Sequence, residues 1–196
     1  MPIAFRQHLQ TPAVERAQLE TLGRIAAVPG RTDPEREPLG AEEVRFVGAR
    51  DSFYLSSVGE SGWPYVQHRG GPPGFLTVLD PHRLAYVELP GNRQLISTGN
   101  IMTNARVALI LMDYPARERL KIIGVAQTFL PADREDLIAR LRVPSGRNPV
   151  RVVVIEVVAF DWNCAQYITP RYTRAEVDEL LSPLRRRVAE LEARLI

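Results

Sequence analysis

The sequence has one cysteine and one lysine among its 196 residues, and these scarcities limit what the protein can be. A single cysteine, Cys164, excludes an internal disulfide and favours a reducing compartment, so we expect a cytoplasmic protein. The longest apolar runs are about six to eight residues, too short to span a bilayer. The N-terminus has no apolar segment of signal-peptide length. A formal net charge of +2 is too small to indicate nucleic acid as a partner.

The remaining composition is typical of a globular chain with one central domain. Apolar residues make up 45% of the sequence and charged residues 24%, which is enough apolar material for a real core. Strand-like segments begin near residue 50, after helix-like segments, and a helix-start signal occurs near residue 173. We therefore expect an N-terminal helical extension over 1–49, a main domain over 50–172 and C-terminal helices over 173–196.

Apolar patterning in the main domain predicts about seven β-strands. The predicted strands are 52–58, 63–69, 75–79, 83–88, 106–112, 119–129 and 150–160. Short Gly- and Pro-rich connections between the first four predict an antiparallel meander, and Gly124 predicts a bulge or bend. Helices are predicted over 93–103 and 132–142. The pattern favours a mainly β (α+β) fold, a small β-barrel with helices packed outside it.

Helices are also predicted at both ends of the chain. Near-helical spacing of apolar residues predicts a helix over 13–27, and a short helix is also expected over 41–49. Thr173 and Glu176 form a capping-box pattern, after which apolar residues recur at alternating spacings of four and three, as in a coiled-coil seam. Because Pro183 follows a serine in a pattern typical of a new helix start, two consecutive helices are expected there.

The second predicted strand ends in polar residues followed by two glycines. Strand alternation sends Gln67 and Arg69 to one side. Val66 and His68 then point to the other side. Arginine and glutamine donors suit the carbonyl oxygens of a planar ring, and glycines let the backbone approach a ligand closely. The alternative is a solvent-facing strand end before a Gly-Pro turn, which the turn residues by themselves favour.

A second candidate site lies in the segment GNRQLISTGN. Asn92 can cap a helix that begins at Arg93, and the exposed amides of a helix start form an anion site. Ser97 would lie one turn beyond Arg93 on the same face. Together these groups suit a phosphate; the alternative is a capped surface helix with a solvated arginine.

Two further polar groups are weaker candidates. Arg119 and Lys121 alternate onto one face of a strand, which is equally typical of a solvated strand face. Trp162, Asn163 and Gln166 follow the last core strand, where they could line a pocket or cover the end of the barrel. The three histidines lie far apart and no Cys/His pair has ligand spacing, so no metal site is predicted.

Taken in order, these segments resemble the pyridoxamine 5′-phosphate oxidase-related, FMN-binding split β-barrel family. The residues that carry the resemblance are FYLSSVGESGWPYVQHRGGPPGFLTVLD, LAYVELPGNRQLISTGNIMTNARVALILMD, RLKIIGVAQ and WNCAQYITPRYT. The resemblance implies a split barrel that forms a homodimer with two FMN molecules at the subunit interface. It also implies a flavin-dependent oxidoreductase with a small-molecule substrate or an electron donor such as NAD(P)H, and no nucleic-acid or membrane partner.

The resemblance assigns roles to the candidate residues. It implies that Arg93, Gln94 and Ser97 hold the FMN phosphate and that the flavin ring lies along the second and third strands. It implies that the strand of Lys121 faces the cofactor and that the WNCAQ segment approaches from the partner subunit. The expected cofactor-binding set is Val66, Gln67, His68, Arg69, Asn92, Arg93, Gln94, Ser97, Lys121, Trp162, Asn163 and Gln166.

The sequence also departs from the family pattern. The oxidase has an Arg-Lys pair in its phosphate helix, whereas here Arg93 is followed by Gln94. The oxidase's substrate-binding Arg/His set has no clear counterpart, and Arg171 is only a loose candidate. These departures argue more strongly against a vitamin B6 compound as the substrate than against FMN as the cofactor. Two alternatives stay open: a flavin-binding or sensing module with little turnover, and a reductase that uses the deazaflavin F420.

Overall fold

The computed structural model describes residues 3–28, 36–91, 93–144, 146–162 and 166–194. The helices are α1 (Ile3–Leu9), α2 (Pro12–Leu22), α3 (Ala41–Ala49), α4 (Ile96–Thr103), α5 (Glu135–Ile138) and α6 (Arg174–Glu192). The strands are β1 (Ser52–Val58), β2 (Pro64–Gly70), β3 (Thr77–Asp80), β4 (Arg83–Glu88), β5 (Arg106–Asp113), β6 (Glu118–Phe129) and β7 (Arg151–Trp162). Within these described ranges, no helix is long and apolar enough to cross a membrane.

The strands form one antiparallel sheet with the order β2-β1-β5-β6-β7-β4-β3. The hairpins β1–β2 and β3–β4 form as expected, but β2 and β3 lie at opposite ends of the sheet. The predicted meander of the first four strands is therefore wrong. The connection contains Pro72 and Pro73, which have no N–H to donate to a strand ladder, and it carries the chain to the far end of the sheet.

Aromatic side chains pack between β1 and β4, the second and sixth strands of the sheet. The ring of Phe53 stacks on Phe75 at a centroid distance of 5.5 Å and meets Tyr86 edge-on at 5.4 Å. All three side chains are buried, and aromatic pairs of this kind contribute about 1 kcal/mol beyond their buried area. Because strands so far apart in the sheet share one core, the sheet must curl towards a barrel. The seven strands also confirm the prediction of a mainly β fold.

Gly124 marks an irregularity in β6, as predicted. The register of β6 against β7 shifts between Ile123 and Gly124. A Cβ atom at position 124 would lie 2.7 Å from the carbonyl oxygen of Glu156 and 2.7 Å from Cγ2 of Ile155. The backbone of β7 approaches so closely that a side chain at this position would collide with it.

The N-terminal helices differ from the single helix predicted over 13–27. The Thr11 hydroxyl caps α2, Pro12 occupies its first turn, and Gly23 ends it in the left-handed conformation with φ 66°. The additional helix α1 was not predicted, because seven residues are too few to display a clear helical period. Helix α3 has the predicted bounds.

The C-terminal segment forms one helix, so the expected pair of helices is wrong. Thr173 and Glu176 make both bonds of the predicted capping box, and α6 then continues through Pro183 to Glu192. Proline's fixed φ is compatible with a helix, and its missing N–H removes one hydrogen bond without ending α6. The helix predicted over 132–142 is also shorter than expected, since a 3₁₀ turn at Pro131–Arg134 leads into the short α5.

Candidate functional site

A groove opens between β2, β4 and the segment that enters α4. Its larger part is a cavity of about 460 Å³, within the range of about 300–1,000 Å³ that is usual for small-molecule sites. An adjoining cavity of about 200 Å³ shares the side chains at the end of β2. We call the two together the β2–α4 groove. Its polar lining includes Gln67, Arg69, Glu88, Arg93, Gln94 and Ser97.

Glu88 at the end of β4 connects the walls of this groove. Its Oε1 lies 2.8 Å from Nη2 of Arg69 on β2, and its Oε2 accepts a hydrogen bond of 2.5 Å from the Thr98 hydroxyl on α4. The side chains of Arg69 and Glu88 are only 15% and 6% exposed, so solvent and salt screen their attraction weakly. One buried carboxylate therefore holds β2, β4 and α4 in a fixed arrangement.

The helix that follows the groove begins later than the sequence predicts. Helix α4 starts at Ile96, with Leu95 as its N-cap residue, so Arg93 precedes the helix. The predicted arrangement, with Arg93 and Ser97 one helical turn apart, is wrong. Arg93 and Leu95 instead adopt left-handed φ values of 61° and 51°, which are uncommon for residues other than glycine and often occur at functional sites.

Three buried polar atoms of groove-lining residues have no hydrogen-bond partner among the residues that the structure describes. They are Ser97 Oγ, Arg69 Nε and Tyr86 OH. An unsatisfied buried donor costs about 1–3 kcal/mol, and native proteins usually satisfy such groups. Burial raises the pKa of Tyr86 far above its usual range, although the nearby Arg69 guanidinium opposes the shift. The phenol therefore stays protonated and is able to donate.

The entrance to α4 suits an anion. The first amides of a helix have no acceptors within the helix and point along its positive end. Ser97 lies in this first turn, is 2% exposed, and lines the groove. Asn100 anchors the helix, because its Nδ2 donates to Ser57 Oγ on β1 at 3.0 Å. Arg93 adds an exposed guanidinium beside the same cavity.

Strand β2 alternates as predicted. Gln67 and Arg69 are half-buried towards the groove, whereas Val66 is 60% exposed on the other face. Gln67 accepts a hydrogen bond from the Tyr65 hydroxyl. The exposed His68 ring meets Tyr54 at a centroid distance of 5.4 Å and reaches the groove at its rim. The structure thus brings Gln67 and Arg69 to the groove more directly than Val66 and His68.

Lys121 and Trp162 belong to a second cluster and do not line the groove. Lys121 Nζ lies 2.8 Å from Oδ2 of the buried Asp161 and 5.0 Å from the ring centre of Phe5 on α1. Trp162 Nε1 donates to Glu43 Oε1 on α3 at 2.6 Å. Within one chain these side chains hold α1 and α3 against the sheet, and their predicted contacts with a cofactor stay predictions.

The remaining predicted site residues lie after β7 or before α4. Gln166 is exposed, and it does not line the groove. Asn92 and Asn163 lie outside the described residues. Their proposed contacts with a cofactor remain predictions.

Sequence reasoning did not find Glu88, Thr98 or Tyr86. Glu88 is the one acidic residue in an otherwise apolar strand end, which is a signal for a paired buried carboxylate. The identity of its partner was not accessible, because Arg69 and Glu88 belong to strands that do not pair with each other. Only the curl of the sheet brings them together.

Comparison with known proteins identifies the fold family. A family model described as pyridoxamine 5′-phosphate oxidase matches residues 39–163, more than half of the chain. The chain belongs to the pyridoxamine 5′-phosphate oxidase family. The region that matches this pyridoxamine 5′-phosphate oxidase family contains β1 to β7, α4 and the β2–α4 groove. A search of curated proteins gave no match.

Solved structures of the pyridoxamine 5′-phosphate oxidase family are similar to this chain. A candidate oxidase from Lactobacillus delbrueckii shares 24% identity, covering 63% of this chain and 93% of its own, with a TM-score of 0.50. A protein related to general stress protein 26 from Clostridium acetobutylicum shares 13% identity, covering 62% and 85%, with a TM-score of 0.48. The predicted fold class, a mainly β split barrel with peripheral helices, is confirmed.

Proposed function

We propose that this protein binds FMN in the β2–α4 groove and acts as a flavin-dependent oxidoreductase on a small molecule. The observation that carries the proposal is the meeting of Arg69, Arg93 and the Ser97 hydroxyl at one cavity. Ser97 is buried and its hydroxyl has no partner within the described part of the chain. This donor set fits a ligand that combines an anionic group with a ring bearing carbonyl oxygens.

In this proposal the FMN phosphate lies at the entrance to α4. Arg93 offers a guanidinium, which binds phosphate through two parallel hydrogen bonds. The Ser97 hydroxyl and the first amides of α4 add neutral donors, and Gln94 takes the place of the second cation in the family's Arg-Lys pair. One guanidinium supported by helix amides is sufficient to bind a phosphate, although with less charge than the oxidase supplies.

The flavin ring lies along β2 in this proposal. FMN, when bound, supplies the hydride or electron transfer, so the protein's contribution is binding, orientation and electrostatics. Gln67 and Arg69 offer donors to the ring's polar edge. Glu88 neutralises part of the Arg69 charge, and it thereby limits how strongly this arginine favours negative charge on the ring.

We propose that the active assembly is a cytoplasmic homodimer with a site at each subunit interface. Trp162, Asn163 and Gln166 then contact the cofactor held by the second copy, and the strand of Lys121 faces the cofactor, as the family resemblance implies. A small-molecule substrate, or an electron donor such as NAD(P)H, would complete the partners. Light scattering of the purified protein tests the dimer, and a monomeric mass would contradict it.

Titration with FMN tests the cofactor directly. The purified protein is stripped of any bound flavin and titrated with FMN, with flavin fluorescence as the readout. If Arg93 holds the phosphate, Arg93→Ala should weaken FMN affinity by about 10- to 100-fold, the loss expected for a charge-assisted hydrogen bond. The matched control is Arg24→Ala, since Arg24 is exposed and lies outside the groove. Equal affinity of the two variants would refute the role of Arg93.

Two further arms separate the remaining alternatives. Parallel titration with F420 shows which cofactor binds more tightly, and a preference for F420 would replace FMN in the proposal. Anaerobic addition of NAD(P)H to the flavin-loaded protein should bleach the visible spectrum. A loaded protein that NAD(P)H and other small-molecule donors fail to bleach would be a binding or sensing module and not an oxidoreductase.

A further inference from the structure

Helix α6 carries an apolar stripe that nothing in the described chain buries. Five side chains recur at spacings of four, three, four and three: Val177, Leu181, Leu184, Val188 and Leu191. They are 38–63% exposed, and none of the side chains of α6 is buried. An average spacing of 3.5 residues keeps them on one side of the helix, as in the seam of a coiled coil.

The position of Pro183 is consistent with a paired helix. In heptad notation, Leu181 and Val188 occupy a positions and Val177, Leu184 and Leu191 occupy d positions, which form the seam. Pro183 occupies a c position, away from the seam, so its ring does not interrupt the apolar surface. Most helical stability in proteins comes from packing of an apolar face, and this 19-residue helix buries no side chain in the described chain. The stripe therefore indicates a partner.

We propose that α6 pairs with α6 of a second copy of this chain as a parallel, in-register, two-stranded coiled coil. The C-terminal half of the seam supports two strands, because a β-branched residue at an a position with leucine at d favours a dimer. Val188 at a lies between Leu184 and Leu191 at d. The pairing is independent of the cofactor proposal, since it uses no residue of the β2–α4 groove.

The charges beside the seam favour the parallel orientation. In a parallel pair, each g position faces the following e position of the other helix. Arg187 occupies g and Glu192 occupies e, so each Arg187 faces Glu192 of the second copy. The twofold symmetry of the pair forms this attractive contact twice.

The antiparallel register that packs Leu184 against Val188 of the second copy would bring like charges together. There e positions face e positions and g positions face g positions, with Leu184 packing against Val188 of the second copy. Arg185 would then face Arg185 and Arg187 would face Arg187. Asp178 would also face Glu192, so the flanking charged contacts of this antiparallel register would be repulsive.

The contacts within one chain leave these charges available. Arg187 Nη1 lies 3.0 Å from Glu190 Oε2, but the two side chains are 58% and 61% exposed. An ion pair this exposed contributes little. Arg187 can therefore leave Glu190 and pair with Glu192 of the second copy at little cost in free energy.

Disulfide cross-linking in the full-length chain tests the pairing. Cys164→Ser removes the native thiol, and Leu184→Cys then places one cysteine at a d position. In the parallel pair the two copies of residue 184 face each other within disulfide reach, so mild oxidation should give a covalent dimer. Arg186→Cys, on the outer face of α6, is the matched control and should stay monomeric under denaturing, non-reducing conditions.

Charge variants in the same background test the flanking contacts. Arg187→Glu should slow cross-linking at position 184 by about fivefold, because two ion pairs become repulsive contacts. Adding Glu192→Arg should restore the rate, since the pair then re-forms with reversed signs. A rate that neither change alters would overturn the charge argument and the proposed orientation with it.

The remaining outcomes are equally decisive. If Leu184→Cys and Val188→Cys chains cross-link with each other but neither does so alone, the pair is antiparallel and the proposal is wrong. If neither position cross-links while circular dichroism shows retained helix, α6 packs elsewhere and the proposal is also wrong. FMN titration of the same variants should be unchanged, which separates this result from the proposed function.

Discussion

Nη2 of Arg69 lies 2.8 Å from Oε1 of Glu88, and this ion pair joins the first strand of the sheet to the sixth. The two strands share no backbone ladder, so the side chains and the packed aromatic residues beneath them hold the curl of the sheet. The same pair lines the β2–α4 groove. This one contact therefore contributes both to the stability of the fold and to the shape of the candidate site.

Removing one partner of this pair should be strongly destabilising. Arg69→Ala leaves the 6%-exposed Glu88 carboxylate without its cation, so we expect the free energy of unfolding to fall by about 3 kcal/mol. Denaturant titration measures the loss. The double variant Arg69→Ala/Glu88→Ala should lose less than the sum of the single variants, with a coupling of about 2 kcal/mol. Additive losses would show that the ion pair contributes nothing of its own.

Ser97→Ala should separate ligand binding from stability. The Ser97 hydroxyl is buried without a partner in the described residues, so its removal should leave the stability of the ligand-free protein unchanged or raise it by up to about 1 kcal/mol. FMN affinity should fall by about fivefold, the value of one neutral hydrogen bond. Thermal unfolding and FMN titration provide the two measurements.

The neighbouring Thr98 provides the contrast. Thr98→Val removes the hydrogen bond to the Glu88 carboxylate, so it should lower the free energy of unfolding by about 2 kcal/mol. If Ser97→Ala destabilises the ligand-free protein as much as Thr98→Val does, the Ser97 hydroxyl has a structural partner and the argument for a ligand fails.

Alanine at two glycines should have opposite effects. Gly124→Ala places a Cβ 2.7 Å from the backbone of β7, so we expect a loss of about 2 kcal/mol or more in unfolding free energy. Gly48 lies in α3 with no atom within 4 Å of an added Cβ. Gly48→Ala should stabilise the protein by about 0.5–1 kcal/mol, because alanine favours the helix. Similar effects at both positions would contradict the close approach at Gly124.

Glu37 should make the stability depend on pH. Burial raises its pKa, and the carboxylates of Glu43 and Asp161 add to the shift, while a backbone hydrogen bond from Phe160 opposes it. The folded state then binds the proton more tightly than the unfolded state. The contribution of Glu37 to the free energy of unfolding therefore falls as the pH rises above 4.5, the ordinary pKa of the group, towards the higher folded value.

Glu37→Gln should remove this dependence. The variant should be more stable than the parent near neutral pH, and the difference should shrink as the pH falls towards 4.5. Denaturant titrations across this range measure it. Glu42→Gln is the control, because Glu42 is exposed in the first turn of α3. A parent protein whose stability rises over the same range relative to Glu37→Gln would contradict the sign of the shift.

Local patterns were sufficient to predict most elements of this fold. Alternation and turn residues located β1 and β4, and the bulge at Gly124 followed from a glycine inside a long strand. These features depend on neighbours in the chain, which the sequence displays directly. The start of α4 was misplaced because the left-handed φ values of Arg93 and Leu95 contradict local preference. Such strain persists only where the surrounding structure enforces it.

The sequence by itself determined the mainly β class, the alternation that turns Gln67 and Arg69 to one side, and the apolar seam of the C-terminal helix. The tertiary structure alone decided that β2 and β3 lie at opposite ends of the sheet and that Glu88 is the partner of Arg69. Periodicity records which face of an element is apolar. It carries no record of which distant strand will meet that face, because that choice depends on how the whole sheet curls.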